Sequence, residues 1–389
     1  MQNFTHCIPT TVYFGKGQVK AVSEELKKQA KKVLIVTGGG SVKKYGIFDD
    51  VIKQVKKAGI EYVELSGIKP NPRLKSVYRG IETCKKESVD FILAVGGGSV
   101  IDAAKTIAAG VKYNGDVWDF FIKDKGLFPA DALPIGCVLT IAATGSEMNE
   151  NAVITKEDTR RKLAFGSPLL RPVFSILDPE YTYTVNKYHT AAGVADIMAH
   201  VFEQYFSHTP AYAQDRMAEA LLKTCIHYGP IVCEKPRDYV ARANIMWASS
   251  LALNDLIGEG KEQDWASHGI EHELSAVYDI SHGVGLAIIA PNWMRHVLSE
   301  KTIGKFLEYG INVWGIDKNK DKMAIANEAI DKSRKFFNSL GLPEKLSEVN
   351  ISNERFQDMA RNATKHYGKV GHFKELSEKD IVEILNMSL

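Results

Sequence analysis

A chain of 389 residues with 49 basic and 47 acidic side chains has a formal charge of +2, which gives no electrostatic footprint for nucleic acid. Its 45% hydrophobic content supports sizeable cores in two or three domains of about 100–200 residues each, and no apolar run reaches the roughly 20 residues of a membrane-spanning helix. Residues 1–6 lack a basic segment leading into an apolar one, so no secretory signal is expected. The five cysteines, Cys7, Cys84, Cys137, Cys225 and Cys233, are scattered and include no C-x-x-C pair. That usage fits neither a disulfide framework nor a thiolate zinc site, and the chain is expected in the cytoplasm.

Taken in order, the first half alternates β-branched runs with amphipathic ones. Residues 33–36 read as a buried parallel strand closed by Gly38, Gly39 and Gly40. A helical pattern spans 41–58, a strand 62–65, a second helix 73–87 and a third strand 91–95. That strand also ends in glycines, Gly96-Gly97-Gly98-Ser99, and opens into a helix over 99–109. An apolar run over 133–139 and a strand region over 172–179 follow. This alternation predicts a doubly wound α/β sheet, with ligands beyond the carboxyl ends of its strands. From about residue 186 the pattern changes to long segments with apolar residues at three- and four-residue spacing, such as 213–228 and 239–256. The expected domains are therefore 1–185, α/β and dinucleotide-binding, and 186–389, all-helical, with the catalytic site between them.

The second glycine cluster, followed by Asp102 and Lys105, would let backbone approach a pyrophosphate at a helix N-terminus. A tight strand-to-helix turn has the same composition, and the G-x-G-x-x-G fingerprint fails at Ile101 and at Lys43. The first cluster, Gly38-Gly39-Gly40-Ser41 with Lys43 and Lys44, contains no acid. A carboxylate there would select NAD by accepting from the ribose 2′-hydroxyl, so its absence favours NADP(H). Thr140, Thr144, Gly145, Ser146 and Glu147 form a third polar loop.

The most specific chemistry lies in the helical half. Asp196 and His200 are four apart, as are His268 and His272, and His282 precedes Gly283. Four-residue spacing places each pair on one helix face. One aspartate with two or three histidines is a mixed oxygen and nitrogen donor set suited to Fe²⁺ or Zn²⁺ with an open position. Spacing alone leaves open which of His268 and His272 would bind. The glutamate of His268-Gly269-Ile270-Glu271-His272 is fourth rather than second, which excludes the H-E-x-x-H protease motif. No G-x-S-x-G elbow or Walker A sequence is present.

In this order, the Gly96–Asp102 and Thr140–Glu147 stretches, Asp196 with His200, His268 with His272, and His282-Gly283 resemble the iron-containing (group III) alcohol dehydrogenases over essentially the whole chain. Segments 8–17 and 312–317 are similar to the NADPH-dependent butanol dehydrogenase and aldehyde reductase branch. The resemblance implies an N-terminal dinucleotide-binding α/β domain and an all-α metal-binding domain, the dehydroquinate synthase-like fold. It implies Asp196, His200, His268 and His282 as metal ligands, with His272 catalytic beside the nicotinamide and not on the metal. For NADP(H) it implies Gly38, Gly39, Gly40, Ser41, Gly97, Gly98, Ser99, Asp102, Thr140, Thr144, Asn149, Lys162 and Tyr181. The implied reaction interconverts small aldehydes and primary alcohols in a homodimer. The alternative on the same fold is an NAD-dependent polyol dehydrogenase or a metal-dependent lyase.

Overall fold

The described residues of 7–185 form eight strands and five α-helices: β1 (Thr11–Phe14), α1 (Ala21–Gln29), β2 (Lys32–Thr37), α2 (Ser41–Lys44), α3 (Ile47–Ala58), β3 (Glu61–Leu65), α4 (Leu74–Glu87), β4 (Phe91–Gly96), α5 (Gly98–Val111), β5 (Ile135–Leu139), β6 (Asn151–Lys156), β7 (Arg161–Gly166) and β8 (Phe174–Leu177). The computed structural model describes residues 1–122 and 125–389. Six strands make one parallel sheet in the order β3-β2-β4-β5-β8-β1. Strands β4, β5 and β8 are buried throughout, which is why they read as unbroken apolar runs: helices cover a parallel sheet on both faces. On one face Val22 and Leu26 of α1 and Phe48, Val51 and Val55 of α3 pack over Val33, Ile35, Phe91, Leu93 and Ile176. Each such aliphatic side chain contributes about 1.5–3 kcal/mol when fully buried. The alternate residues Leu34, Ile92 and Ala94 are equally buried, on the face where α5 packs with α4 beside it.

The chain runs outward from β2 to β3 and the other way from β4 to β5, so the strand order reverses between β2 and β4. Both glycine clusters follow those two strands, at the switch point where doubly wound sheets bind ligands.

Local details depart from the sequence expectation. The helix expected over 41–58 is two helices, because Gly46 adopts a left-handed φ of 80° and caps α3. The edge strand β1 and the antiparallel hairpin β6–β7 were not anticipated. The hairpin's turn is rich in charge, and its inward residues Ala152, Ile154, Leu163 and Phe165 are too few to dominate the pattern.

The second unit comprises Asn186–Leu389 together with Met1–His6. The six N-terminal residues thus depart from the expected 1–185 domain. The backbone N–H of Gln2 donates to the Gly260 carbonyl at 2.8 Å, and His6 Nδ1 meets Glu259 at 2.7 Å. The helices are α6 (Lys187–Tyr205), α7 (Tyr212–Glu234), α8 (Tyr239–Ala252), α9 (Ala266–Tyr278), α10 (His282–Val297), α11 (Ile303–Asn312), α12 (Lys322–Ser339), α13 (Phe356–Tyr367) and α14 (Glu378–Met387). Helix α6 is buried from Thr190 to Tyr205 and packs against α7 and α10. Beyond its end, Phe206 centres an aromatic core, with ring centroids 4.8 Å from Phe306, 5.6 Å from Trp293 and 5.7 Å from Phe373. No helix among the described residues is long and apolar enough to cross a membrane.

Candidate functional site

In the α/β unit, the loop after β4 is shaped by close approach. A Cβ at Gly97 would lie 2.1 Å from Ile141 Cγ2, and one at Gly98 would lie 2.4 Å from Thr144 Oγ1. Only glycine lets the start of α5 meet the 140–145 loop, which is held by the Thr140 N–H donating to the Gly96 carbonyl at 3.0 Å. The structure therefore brings Gly97, Gly98, Thr140 and Thr144 together, with Ser99 in the first turn of α5, where backbone N–H groups lack intrahelical acceptors.

Asp102 and Asn149 are committed within the protein. Asp102 accepts from Ser146 Oγ at 2.7 Å and from the Val153 N–H at 3.1 Å. Asn149 Nδ2 donates to the Gly145 carbonyl at 3.1 Å, while its Oδ1 accepts from Lys105 Nζ at 3.0 Å. Lys105 is fully buried and also donates to Ser146 Oγ and to the carbonyls of Asn149 and Asn151, at 2.8–2.9 Å. Burial pushes its ammonium down to about 8, against the opposing pull of Asp102. This lysine is the post on which the 144–151 segment is hung. A buried lysine has no sequence pattern of its own, so nothing local marks Lys105 for this role.

The other candidate positions lie elsewhere in the α/β unit. Lys162 is buried in β7, and the Tyr181 hydroxyl donates to Asp50 at 3.2 Å. At the first cluster, Gly39 and Gly40 face open space, and Gly40 has a left-handed φ of 110°. Ser41 begins α2. Lys43 is paired with Glu64 at 2.6 Å, so one nearby cation already has an acid partner.

In the helical unit, Asn186 caps α6 by accepting from the His189 N–H at 2.9 Å, and Asp196 and His200 are buried one turn apart. Helix α9 carries His268 and His272; α10 opens at His282. A Cβ at Gly283 would lie 2.0 Å from the Ala192 carbonyl oxygen, so glycine is what allows α10 to begin against α6. Ligand-type atoms of Asp196, His200, His268 and His282 all lie within 4.8 Å of one another. Asp196 Oδ1 is 3.7 Å from His200 Nδ1 and 3.6 Å from His282 Nε2.

Two glutamates that the sequence reading did not assign complete this arrangement. Glu203 Oε1 lies 2.8 Å from His268 Nδ1, and Glu271 meets His282 Nδ1. A carboxylate accepts, so each Nδ1 carries a proton, and Nε2 is the atom of each ring left to meet a metal. Burial, then the neighbouring His268, hold His200 well below the usual imidazole range and therefore neutral. Among the described residues its buried Nδ1 has no hydrogen-bond partner. One carboxylate oxygen and three imidazoles, one with an unsatisfied buried nitrogen, fit Fe²⁺ or Zn²⁺. His272 stands outside this group of four but shares a second one with Glu271 and His282. Its ring centroid is 5.5 Å from that of His282 and 6.5 Å from that of His268.

Comparison with known proteins follows the same division. Residues 9–179 match the iron-containing alcohol dehydrogenase family, and 190–389 match the C-terminal domain of the Fe-containing alcohol dehydrogenase family. The chain is 53% identical to NADH-dependent butanol dehydrogenase A of Clostridium acetobutylicum, covering 100% of both. It is 41% identical to the NADPH-dependent aldehyde reductase YqhD of Escherichia coli, over 94% of each chain. The crystal structure of NADH-dependent butanol dehydrogenase A from Thermotoga maritima superposes with a TM-score of 0.96 at 40% identity, covering 100% of this chain and 99% of that one. A parallel α/β unit, a helical unit carrying an aspartate and three histidines, and both family matches converge: the chain belongs to the iron-containing alcohol dehydrogenase family.

Proposed function

We propose that this chain is a metal-dependent alcohol dehydrogenase and aldehyde reductase that uses NADP(H) to interconvert small aldehydes and primary alcohols. The observation that carries the proposal is the buried group of Asp196, His200, His268 and His282. These four residues would hold Fe²⁺ or Zn²⁺. The bound groups would supply Lewis-acid polarisation of the substrate oxygen, from the ion, and hydride transfer, from the nicotinamide. His272 exchanges a proton at that oxygen with solvent, a role suited to an imidazole near neutral pH.

On the α/β side, Gly97, Gly98 and Ser99 receive the pyrophosphate, and Thr140, Thr144, Lys162 and Tyr181 line the remainder of the cofactor. Asp102 and Asn149 belong to the same cofactor site, held in place through Ser146 and Lys105. Gly38, Gly39, Gly40 and Ser41 receive the adenosine ribose. The open space at Gly39 and Gly40, in a loop whose own sequence carries no acid, supports a 2′-phosphate there. A second reading, NAD(H), draws on the pairing of Lys43 with Glu64, which removes one cation from that phosphate, and on the NADH-dependent names of the Clostridium and Thermotoga relatives. We place the enzyme in the cytoplasm as a homodimer, which light scattering on the purified protein checks.

The deciding experiment is oxidation of NADPH and of NADH with butanal, on chelator-stripped protein before and after adding Fe²⁺ or Zn²⁺. Activity restored by metal and faster with NADPH supports the proposal. Restoration with NADH preferred moves the assignment to the second reading. No turnover with any metal, in folded protein that binds the cofactor, overturns the proposed reaction.

A further inference from the structure

The sequence His200-Val201-Phe202-Glu203 recurs in form as His268-Gly269-Ile270-Glu271. On a helix, a residue three positions on lies one turn along the same side. In both cases the histidine joins the four-residue group, while the glutamate reaches to the histidine of the next helix in that group. Glu203 of α6 grips His268 of α9; Glu271 of α9 grips His282 of α10. The geometry points to Glu203 and Glu271 as positioning residues of the metal centre, which lock three helices into a ligating arrangement by fixing the imidazoles of His268 and His282. The inference rests on reading Asp196, His200, His268 and His282 as metal ligands.

Each carboxylate is itself held. Glu203 Oε1 also accepts from Ser267 Oγ at 2.5 Å and from the His268 N–H at 3.0 Å. Glu271 also accepts from Ser275 Oγ, and Gly285 leaves it room, since a Cβ there would sit 2.7 Å from Glu271 Cγ. Both glutamates are almost wholly buried. Burying a carboxylate is costly unless it is hydrogen-bonded and balanced by positive charge. A cation held by the two gripped imidazoles supplies that balance. In return, the carboxylates fix the ring tautomers and raise the ligands' basicity, as outer-shell partners of metal-bound histidines do. The two grips are arranged in series, so α10 is located relative to α6 through α9.

Co²⁺ serves as the probe, because its visible spectrum reports ligand geometry independently of turnover. Chelator-stripped protein is titrated with Co²⁺ against a competing chromophoric chelator, and apo-protein melting is recorded alongside. Glu203→Gln and Glu271→Gln are expected to weaken Co²⁺ binding by about 10–100-fold and to shift its visible bands, with alanine at either site weakening it further. The apo-protein should melt no lower than wild type, which separates positioning from ordinary structural support. If the glutamate variants do not fold, Ser267→Ala and Ser275→Ala each remove one hydrogen bond from a carboxylate. They should weaken Co²⁺ binding by about 2–10-fold. Folded variants with wild-type Co²⁺ affinity and spectrum would overturn the inference. Wild-type protein that takes up no Co²⁺, or Asp196→Asn that binds it equally well, would bring down the metal reading and this inference together.

Discussion

Replacing Gly98 with alanine would set a methyl carbon 2.4 Å from Thr144 Oγ1, 2.5 Å from Thr144 Cγ2 and 3.0 Å from its Cβ. Threonine is β-branched and stiff about χ1, and its Oγ1 accepts from the Ser146 N–H at 3.2 Å, so rotation alone does not relieve the overlap. Overpacking of this kind costs about 1–3 kcal/mol, against which alanine regains at most about 1 kcal/mol of helix propensity. Net destabilisation should be about 1–2 kcal/mol, with the 140–149 loop displaced from α5. If that loop shapes the cofactor site, NADPH affinity falls about tenfold, since 1.4 kcal/mol corresponds to a factor of ten. Thr144→Ala removes both of the closest atoms, so the double variant should recover most of the loss. Melting temperature and NADPH fluorescence titration on Gly98→Ala, Thr144→Ala and their combination measure the coupling. Strictly additive effects, or a Gly98→Ala protein that melts and binds as wild type does, would refute the close-approach argument.

Other expectations concern the supports behind the sites. Lys105→Met removes the donor to Ser146 Oγ, Asn149 Oδ1 and the carbonyls of Asn149 and Asn151 and should cost about 3–5 kcal/mol, read by chemical denaturation. Because the folded ammonium titrates near 8 and the unfolded one near 10.4, the unfolded chain holds more protons between those values. Wild-type stability should therefore rise with pH across that window by this group's contribution, and the Lys105→Met profile should lack the rise. Gly283→Ala meets a backbone oxygen at 2.0 Å, which cannot swing aside. It should displace the start of α10 and abolish Co²⁺ uptake even where circular dichroism shows helices retained; normal uptake would show that α10 can shift freely.

The α/β unit was legible because buried parallel strands and the glycines closing them leave unbroken apolar runs, as at 33–36 and 91–95. In α6, Asp196 with His200 stood out through their four-residue spacing, which sets both on one helix face. The sequence could not show how Asp102 and Asn149 are used. Their polarity suits a ligand, yet their partners are Ser146, Val153, Lys105 and Gly145, brought near only by folding. Gly46 lies within a good helical pattern, and nothing local marks it as a break until its φ is known. The glutamates at 203 and 271 carried a visible signal in the repeated spacing. Its meaning depended on knowing that α6, α9 and α10 meet.

Met1–His6 belong to the helical unit although the whole α/β unit follows them in the chain. Residues 7–185 form an interruption in that unit, so the peptide chain passes between the two units twice, near Cys7 and near Val185. As synthesis proceeds from the N-terminus, the α/β unit can emerge whole while Gln2 and His6 still wait for Glu259 and Gly260, more than 250 residues later. The helical unit thus takes up a segment made before the whole α/β unit, and a fragment starting at Asn186 would lack the stretch of backbone that docks on Gly260.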